Sequence, residues 1–239
     1  MSEPLLEPAP HAAGCLLLFT KPAVPGRVKT RLIGALTPAE AAALHEAFLG
    51  DLVAKLERST RFSLRLAWAL EPGEPLPDFP SRGLRQEGAD LGERLHRALA
   101  AAAAEHPLVA AVGSDHPRLA AERVEAAFDL LAAGAPIVLG PAEDGGYYLV
   151  GARREALSPR LFAGVPWSGP RVLETTLARC GELGLTPALL PAEADVDTPR
   201  DLARLAVELA AGPSADCPRT AALLAGWGRL EAMRPEVIE

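Results

Sequence analysis

A chain of 239 residues, 49% hydrophobic and 23% charged, holds enough apolar material for one sizeable core, which excludes collagen-like, coiled-coil and wholly disordered architectures. Its net charge of −7 argues against a protein that coats nucleic acid or anionic membrane through its overall field, and leaves room for a local basic site only. Cys15, Cys180 and Cys217 are far apart and odd in number, so they match neither a disulfide framework nor a zinc spacing and are expected as buried thiols in a reducing cytoplasm.

Residues 1–13 carry Glu3 and Glu7 with three prolines and no lysine or arginine, so they lack the positive region of a secretion signal and are expected as a flexible tail. Gly14 to Thr20 is an apolar run that fits a strand buried on both faces at the centre of a parallel sheet. A turn-rich segment, Lys21 to Arg31, follows it. Thr37-Pro38-Ala39-Glu40 combines a capping hydroxyl, a proline at the first helical position and a returning glutamate, which predicts a helix to about Arg58. Phe62 to Leu70 alternates as a strand, and a proline-rich connection, Glu71 to Arg82, leads to the cap Asp90-Leu-Gly-Glu93 and a helix through about Glu105.

Leu108 to Gly113 predicts the next strand, ending in Ser114-Asp115-His116-Pro117 before a helix from about Leu119 to Ala133. Pro136 to Gly140 and Tyr147 to Gly151 read as strands joined by Pro141-Ala-Glu-Asp-Gly-Gly146, and Pro170 opens a helix over about Arg171 to Leu183. Thr186 to Leu190 is the last predicted strand, Asp195 to Asp201 starts a helix to about Ala211, and a further helix runs roughly from Cys217 to Ala232. The alternation predicts an α/β domain over residues 14–212, with a mostly parallel Rossmann-like sheet and helices on both faces, and a C-terminal helical extension over 213–239. That extension has two places to pack, on the domain or on a partner, a homodimer among them.

In such sheets ligands sit beyond the carboxyl ends of the strands, and four polar segments follow strands here. No acidic residue lies between Glu7 and Glu40, whereas Lys21, Arg27, Lys29 and Arg31 do, two of them among the only three lysines of the chain. Gly26 offers close backbone approach and the cations suit a diphosphate or triphosphate, although neither GxxxxGK[ST] nor GxGxxG is present. The alternative is a loop whose charges serve solubility alone. Aspartate is the minority acid, yet Asp115, Asp144, Asp195, Asp197 and Asp201 gather near strand ends and turns. Asp115 and Asp197 are candidates to hold Mg²⁺ or Mn²⁺ together with substrate phosphates, while Asp201 reads better as a helix-start residue. Gly145-Gly146 beside Glu143 and Asp144 would let a sugar lie against backbone, with either acid contacting hydroxyls or acting as a base; a tight hairpin is the competing account. Trp167 reads as one wall of an acceptor pocket or as core packing, and His116 as a hydrogen-bonded turn residue rather than a metal ligand.

Five ordered stretches resemble one family: Phe19-Thr-Lys-Pro-Ala-Val-Pro-Gly-Arg-Val-Lys-Thr-Arg-Leu32, Asp90-Leu-Gly-Glu-Arg-Leu95, Gly113-Ser-Asp-His-Pro117, Gly140-Pro-Ala-Glu-Asp-Gly-Gly-Tyr-Tyr-Leu149 and Asp195-Val-Asp-Thr-Pro-Arg-Asp-Leu202. They are similar to the small stand-alone GT-A-fold transferases related to nucleotide-diphospho-sugar transferases. Members are often described as radical-SAM/selenodomain-associated transferases or arsenosugar-biosynthesis glycosyltransferases. More distantly the stretches resemble molybdenum-cofactor cytidylyltransferases and phospholactate guanylyltransferases. The resemblance implies a GT-A sheet, nucleotide contact from the loop at 21–31, and metal contact from Asp115 with help from Asp197; Arg94 is a further candidate for phosphate contact, and Asp144 and Lys29 are the catalytic candidates. One departure is Trp167-Ser168-Gly169-Pro170, where the family commonly has threonine after the serine.

The expected function is metal-dependent transfer from a nucleotide or sugar-nucleotide donor to a small-molecule acceptor, with glycosyl transfer preferred. Nucleotidyl transfer from a triphosphate to a phosphorylated small molecule is the alternative, and a non-catalytic nucleotide-binding protein the third. Neither a nucleic-acid polymer nor a membrane is expected as a partner.

Overall fold

A computed structural model describes residues 14–79, 82–211 and 216–228; the expected tail over 1–13 lies outside them. Seven strands, β1 (Gly14–Thr20), β2 (Phe62–Trp68), β3 (Gly83–Arg85), β4 (Leu108–Gly113), β5 (Ile137–Pro141), β6 (Tyr147–Arg153) and β7 (Ala188–Leu189), form one sheet in the order β3-β2-β1-β4-β6-β5-β7. All neighbouring pairs are parallel except those of β6, which runs antiparallel to both β4 and β5. Every residue of β1 is buried, as a central strand with helices on both faces requires.

The helices are α1 (Pro38–Leu56), α2 (Leu91–Ala103), α3 (Ala121–Ala132), α4 (Val172–Glu182), α5 (Pro199–Ala211) and α6 (Pro218–Gly226). The two-residue period of β1 divides the core. Leu16 and Leu18 pack with Leu52 and Leu56 of α1 and Phe128 and Leu131 of α3, while Cys15, Leu17 and Phe19 pack with Leu95 and Leu99 of α2 and Cys180 of α4. Helix α1 is apolar on a second side too, where Leu44 and Phe48 meet Leu202 and Leu205 of α5 and Leu224 of α6. Its start is the predicted capping box: Thr37 N–H donates to Glu40 Oε2 (2.7 Å) and Glu40 N–H to Thr37 Oγ1 (3.2 Å). Asp90 likewise accepts from Glu93 N–H at 2.8 Å to start α2.

Three expectations shift. The connection at 71–82 runs into β3, whose three residues carry no periodic signal and become a strand only by pairing with Leu66, Ala67 and Trp68. The last strand contracts to Ala188–Leu189, and three short 3₁₀ turns, at 30–32, 154–156 and 159–161, carry no signal separable from loop. Helix α6 ends at Gly226, and the expected continuation to Ala232 passes beyond the described residues after 228. The three cysteines are buried free thiols, and no helix among the described residues is long and apolar enough to cross a membrane.

Helix α6 docks on α1 of its own chain through an acid that the sequence leaves inconspicuous. Asp51, buried on α1, accepts from Arg219 N–H (2.9 Å), Thr220 N–H (2.9 Å) and the Thr220 hydroxyl (2.7 Å), so it caps α6 from another helix. Replacing Asp51 by Ala orphans these donors in a buried site, and urea unfolding should show a loss of about 2–3 kcal/mol; a change within error would refute the remote cap.

Candidate functional site

The site grows from the switch point between β1 and β4. These parallel strands end side by side, Phe19 opposite Gly113, with Ser114 N–H donating to Phe19 O (3.2 Å), so the loops at 21–31 and 114–117 leave together. His45 on α1 anchors the first loop by donating through Nε2 to Lys21 O (3.0 Å), and the same nitrogen lies 3.2 Å from Thr20 Oγ1. Gly26 has φ 80°, the left-handed region where glycine is favoured. A Cβ there would meet open space, so backbone conformation, not the expected close approach, is what calls for glycine.

Lys29 also adopts the left-handed region, at φ 47° and ψ 39°, a conformation that costs an L-residue about 1–2 kcal/mol. This turn directs its side chain inward, where 2% remains exposed. There Nζ donates to Val196 O (2.7 Å), forms an ion pair with Asp115, lies 3.7 Å from Asp197 Oδ1 and sits 5.4 Å above the Phe48 ring. Arg31 completes the chain by bonding Asp197 Oδ2 at 2.9 Å. Arg27 turns away to a bidentate pair with Glu74 (3.1 and 3.0 Å), with Glu71 at 3.6 Å. The acid-free window is therefore answered by carboxylates from elsewhere in the chain, while Lys21 stays exposed at the rim.

The carboxylates are held as firmly. Asp115 O accepts from Val196 N–H (3.1 Å), and the segment after it is fixed by Lys55 Nζ on Pro117 O (3.1 Å) and Leu119 O (3.0 Å) and by Cys217 Sγ on Pro117 O (3.0 Å). Asp201 is the expected helix-start residue: it accepts from Asp197 N–H (3.2 Å), Thr198 N–H (2.8 Å) and the Thr198 hydroxyl (2.7 Å). Burial works to raise the Asp115 carboxyl, but the Lys29 ammonium, with His45 and His116, outweighs it and holds the group below the usual carboxylate range. Asp195 moves the other way, raised by burial and then by the neighbouring Asp144, Asp197 and Asp201.

Two chambers meet over this chain of charges. The larger, about 690 Å³, is lined on its polar side by Lys21, Arg27, Lys29, Gln86 and Arg94. The smaller, about 360 Å³, is lined by His116, Asp144, Gly146, Tyr147, Trp167 and Asp195. Arg31, Asp115, Ser168 and Asp197 border both. The expected basic and acidic residues are thus separated across one seam. Gln86 carried no sequence signal, and Ser168 entered only within the stretch where the chain departs from the family. Gln86 is fixed by donating to Ala67 O (2.8 Å), and Ser168 has φ 66°, a left-handed conformation legible only in the backbone.

Several expectations change here. Glu143 lines neither chamber and lies 3.4 Å from Arg204 Nη1. At Gly145, with φ 88°, a Cβ would collide with the Pro170 carbonyl, so the missing side chain makes room for the protein's own loop rather than for a sugar. The segment is the tight hairpin: Ala142 N–H donates to Gly146 O (3.0 Å), and Asp144 Oδ1 accepts from Gly146 N–H (2.9 Å). Gly146 does face the smaller chamber, and Trp167 walls it while meeting Tyr147 edge-to-face at 6.2 Å. Arg94 lines the larger chamber with its Nε on Gly88 O (3.2 Å).

His116 is corrected as well. It is 7% exposed and neither ring nitrogen has a hydrogen-bond partner among the described residues, the ring being lodged 5.5 Å from Tyr148 instead of against turn carbonyls. Among the described residues no group of three or more His, Cys, Asp or Glu is arranged to hold a metal. Asp115 and Asp197 nevertheless converge on a single cation position, occupied by Lys29 Nζ, and a two-carboxylate set fits Mg²⁺ or Mn²⁺ whose other ligands are substrate phosphates and water.

Burial lowers the His116 imidazole from 6.5 to about 4, against the upward pull of Asp115. Between those values the unfolded chain binds a proton that the folded chain does not, so stability falls as pH drops through that window. An NMR titration should find His116 neutral at pH 5.5, and His116→Asn should flatten the acid limb of stability; a ring titrating near 6.5 would contradict this.

Residues 80–169 match the family profile described as an uncharacterized protein conserved in bacteria, DUF2064. No curated protein matches the chain. Among solved structures, a protein from Desulfovibrio desulfuricans G20, provisionally described as a nucleotide-diphospho-sugar transferase, is 30% identical with a TM-score of 0.85, over 94% of this chain and 100% of that one. A cytidylyltransferase from Leptospira borgpetersenii serovar Hardjo-bovis shares the fold at 13% identity and a TM-score of 0.56, over 93% and 97% of the two chains. A CMP:2-keto-3-deoxy-manno-octonic acid synthetase complexed with CTP does so at 13% and 0.50, over 83% and 98%. The family match and the full-length likeness to the Desulfovibrio protein together identify the chain as a member of the DUF2064 family, with the fold of nucleotide-diphospho-sugar transferases.

Proposed function

We propose that the protein is a metal-dependent transferase that uses a nucleotide-activated donor, and that the transferred group is a sugar. The observation that carries this is the seam: Asp115 and Asp197 border a basic chamber on one side and an acidic, aromatic one on the other. A nucleoside diphosphate suits the larger chamber, with Lys21 and Arg94 facing its phosphates and Lys29 held by Asp115 and Asp197. Arg27 and Arg31 are already paired with carboxylates, so the loop offers less free positive charge than a triphosphate would draw on. The description of the Desulfovibrio relative as a nucleotide-diphospho-sugar transferase supports the same choice.

Asp115 and Asp197 would hold Mg²⁺ or Mn²⁺, which when bound supplies Lewis-acid stabilisation of the departing diphosphate. An acceptor hydroxyl in the smaller chamber attacks the anomeric carbon, the bond from that carbon to the diphosphate oxygen breaks, and the nucleoside diphosphate leaves with the electron pair. Asp144, oriented by its bond from Gly146 N–H, takes the hydroxyl proton. Lys29, whose Nζ lies between Asp115 and Asp197, would add positive charge beside the leaving phosphates.

A thermal-shift panel of sugar nucleotides and nucleoside triphosphates, each with and without Mg²⁺ or Mn²⁺, tests the reading. Metal-dependent stabilisation by a sugar nucleotide is expected, with slow release of nucleoside diphosphate in the absence of acceptor. Asp115→Asn should cut that release by about 10²–10³-fold. Stabilisation by triphosphates alone, with pyrophosphate released, would replace glycosyl by nucleotidyl transfer. Binding with no turnover would leave a nucleotide sensor, and binding indifferent to metal would remove the assigned role of Asp115 and Asp197.

A further inference from the structure

The smaller chamber has a charge that its neighbour lacks. Four aspartates line it: Asp115, Asp144, Asp195 and Asp197. Asp115 and Asp197 are balanced by Lys29 and Arg31 at the seam. Asp144 and Asp195 form no ion pair among the described residues, and Asp195 lies close enough to Asp144 to feel its charge. Arg204 donates to the Asp195 carbonyl (3.0 Å) and lies on Glu143 and Asp201, outside the lining. Tyr147, Tyr148 and Trp167 supply aromatic walls, and Arg31, paired with Asp197, is the cation of the lining. His116, more than nine-tenths buried and part of the same lining, keeps both ring nitrogens unpartnered, a hydrogen-bonding group with no use inside the protein. Four carboxylates against the one guanidinium of Arg31, among aromatic faces, favour a cation, since such walls attract positive charge and a phosphate would meet net repulsion.

We infer that the smaller chamber takes a small, hydroxylated acceptor bearing a protonated amine, that Asp195 is the residue that selects it, and that phosphorylated acceptors are excluded. This rests on the proposed transfer from a sugar nucleotide only for the identity of the chamber as the acceptor side. Asp144 stays the proton acceptor of the reacting hydroxyl, while Asp195 holds the ammonium group without taking part in bond exchange.

Equilibrium binding separates this inference from the transfer reading, because it needs no turnover. The Trp167 indole N–H resonance of the full chain is followed while D-glucosamine, D-glucose and D-glucose 6-phosphate are added in parallel. Glucosamine should bind at least about tenfold more tightly than glucose, with the preference eroding in high salt, and glucose 6-phosphate should leave the resonance unmoved. Asp195→Asn should abolish the preference for the amine while glucose binding persists, and Asp195→Glu should restore part of it. Because Asp195 sits among like charges, the Asn variant loses repulsion rather than a partner and should melt no lower than the parent chain. Equal binding of glucosamine and glucose, a preference that survives Asp195→Asn, or saturable binding of glucose 6-phosphate would each overturn the inference. A sugar nucleotide that neither binds nor releases nucleoside diphosphate would overturn the transfer reading instead, with the amine preference still decided by the indole resonance.

Discussion

One buried ammonium organises the cleft at the strand ends of this fold. Lys29 carries its charge into a place that is almost closed to solvent, an arrangement that is stable only when anionic and carbonyl oxygens surround the charge. Asp115 arrives from the end of β4, while Asp197 and the Val196 carbonyl arrive from the segment before α5. Three stretches far apart in sequence are thereby tied at one point. The left-handed backbone at Lys29 belongs to the same constraint, since the strain is held by the contacts that it makes possible.

The support reaches outward from that point. Lys55 of α1 and Cys217 beside α6 hold the carbonyls after Asp115, and Asp51 of α1 caps α6, so the C-terminal helix braces the segment that carries a central carboxylate. Asp201 fixes the start of α5 through three bonds and with it the backbone of Asp197. These are buried or half-buried polar contacts whose partners are satisfied, which gives the site a single geometry at the junction of the two chambers.

The electrostatic pattern of the cleft differs from the pattern along the chain. Read linearly, the loop at 21–31 is a cluster of cations awaiting an anion. Folded, it meets Glu74, Asp115 and Asp197, and the charge left for a ligand is concentrated at Lys21 and Arg94 on one side of the seam and at Asp144 and Asp195 on the other. The proposed transfer needs this kind of division, because donor and acceptor must be held apart until the reacting atoms meet.

Much of the fold was legible because its signals are local. The Thr37 and Glu40 box, the Asp90 cap and the apolar run of β1 each depend on neighbours within a few residues, and each appears where its residues lie. Strand β3 was not legible, since three residues on an edge acquire their state from a partner strand, nor was the left-handed backbone of Ser168. Asp115, Asp197 and the basic loop could be picked out by residue type and position after strands, but whether a cation is free or paired is a property of distance. The sequence by itself determined the α/β alternation, the helix starts and which segments carry chemistry, because hydrophobic period and capping act over one or two turns. Only the tertiary structure decided that Lys29 joins Asp115 to Asp197, that Glu143 and Gly145 face away from the chambers and that Asp195 faces in, because those relations are set by packing between residues up to 168 positions apart, the separation of Asp51 from Arg219 being of the same order.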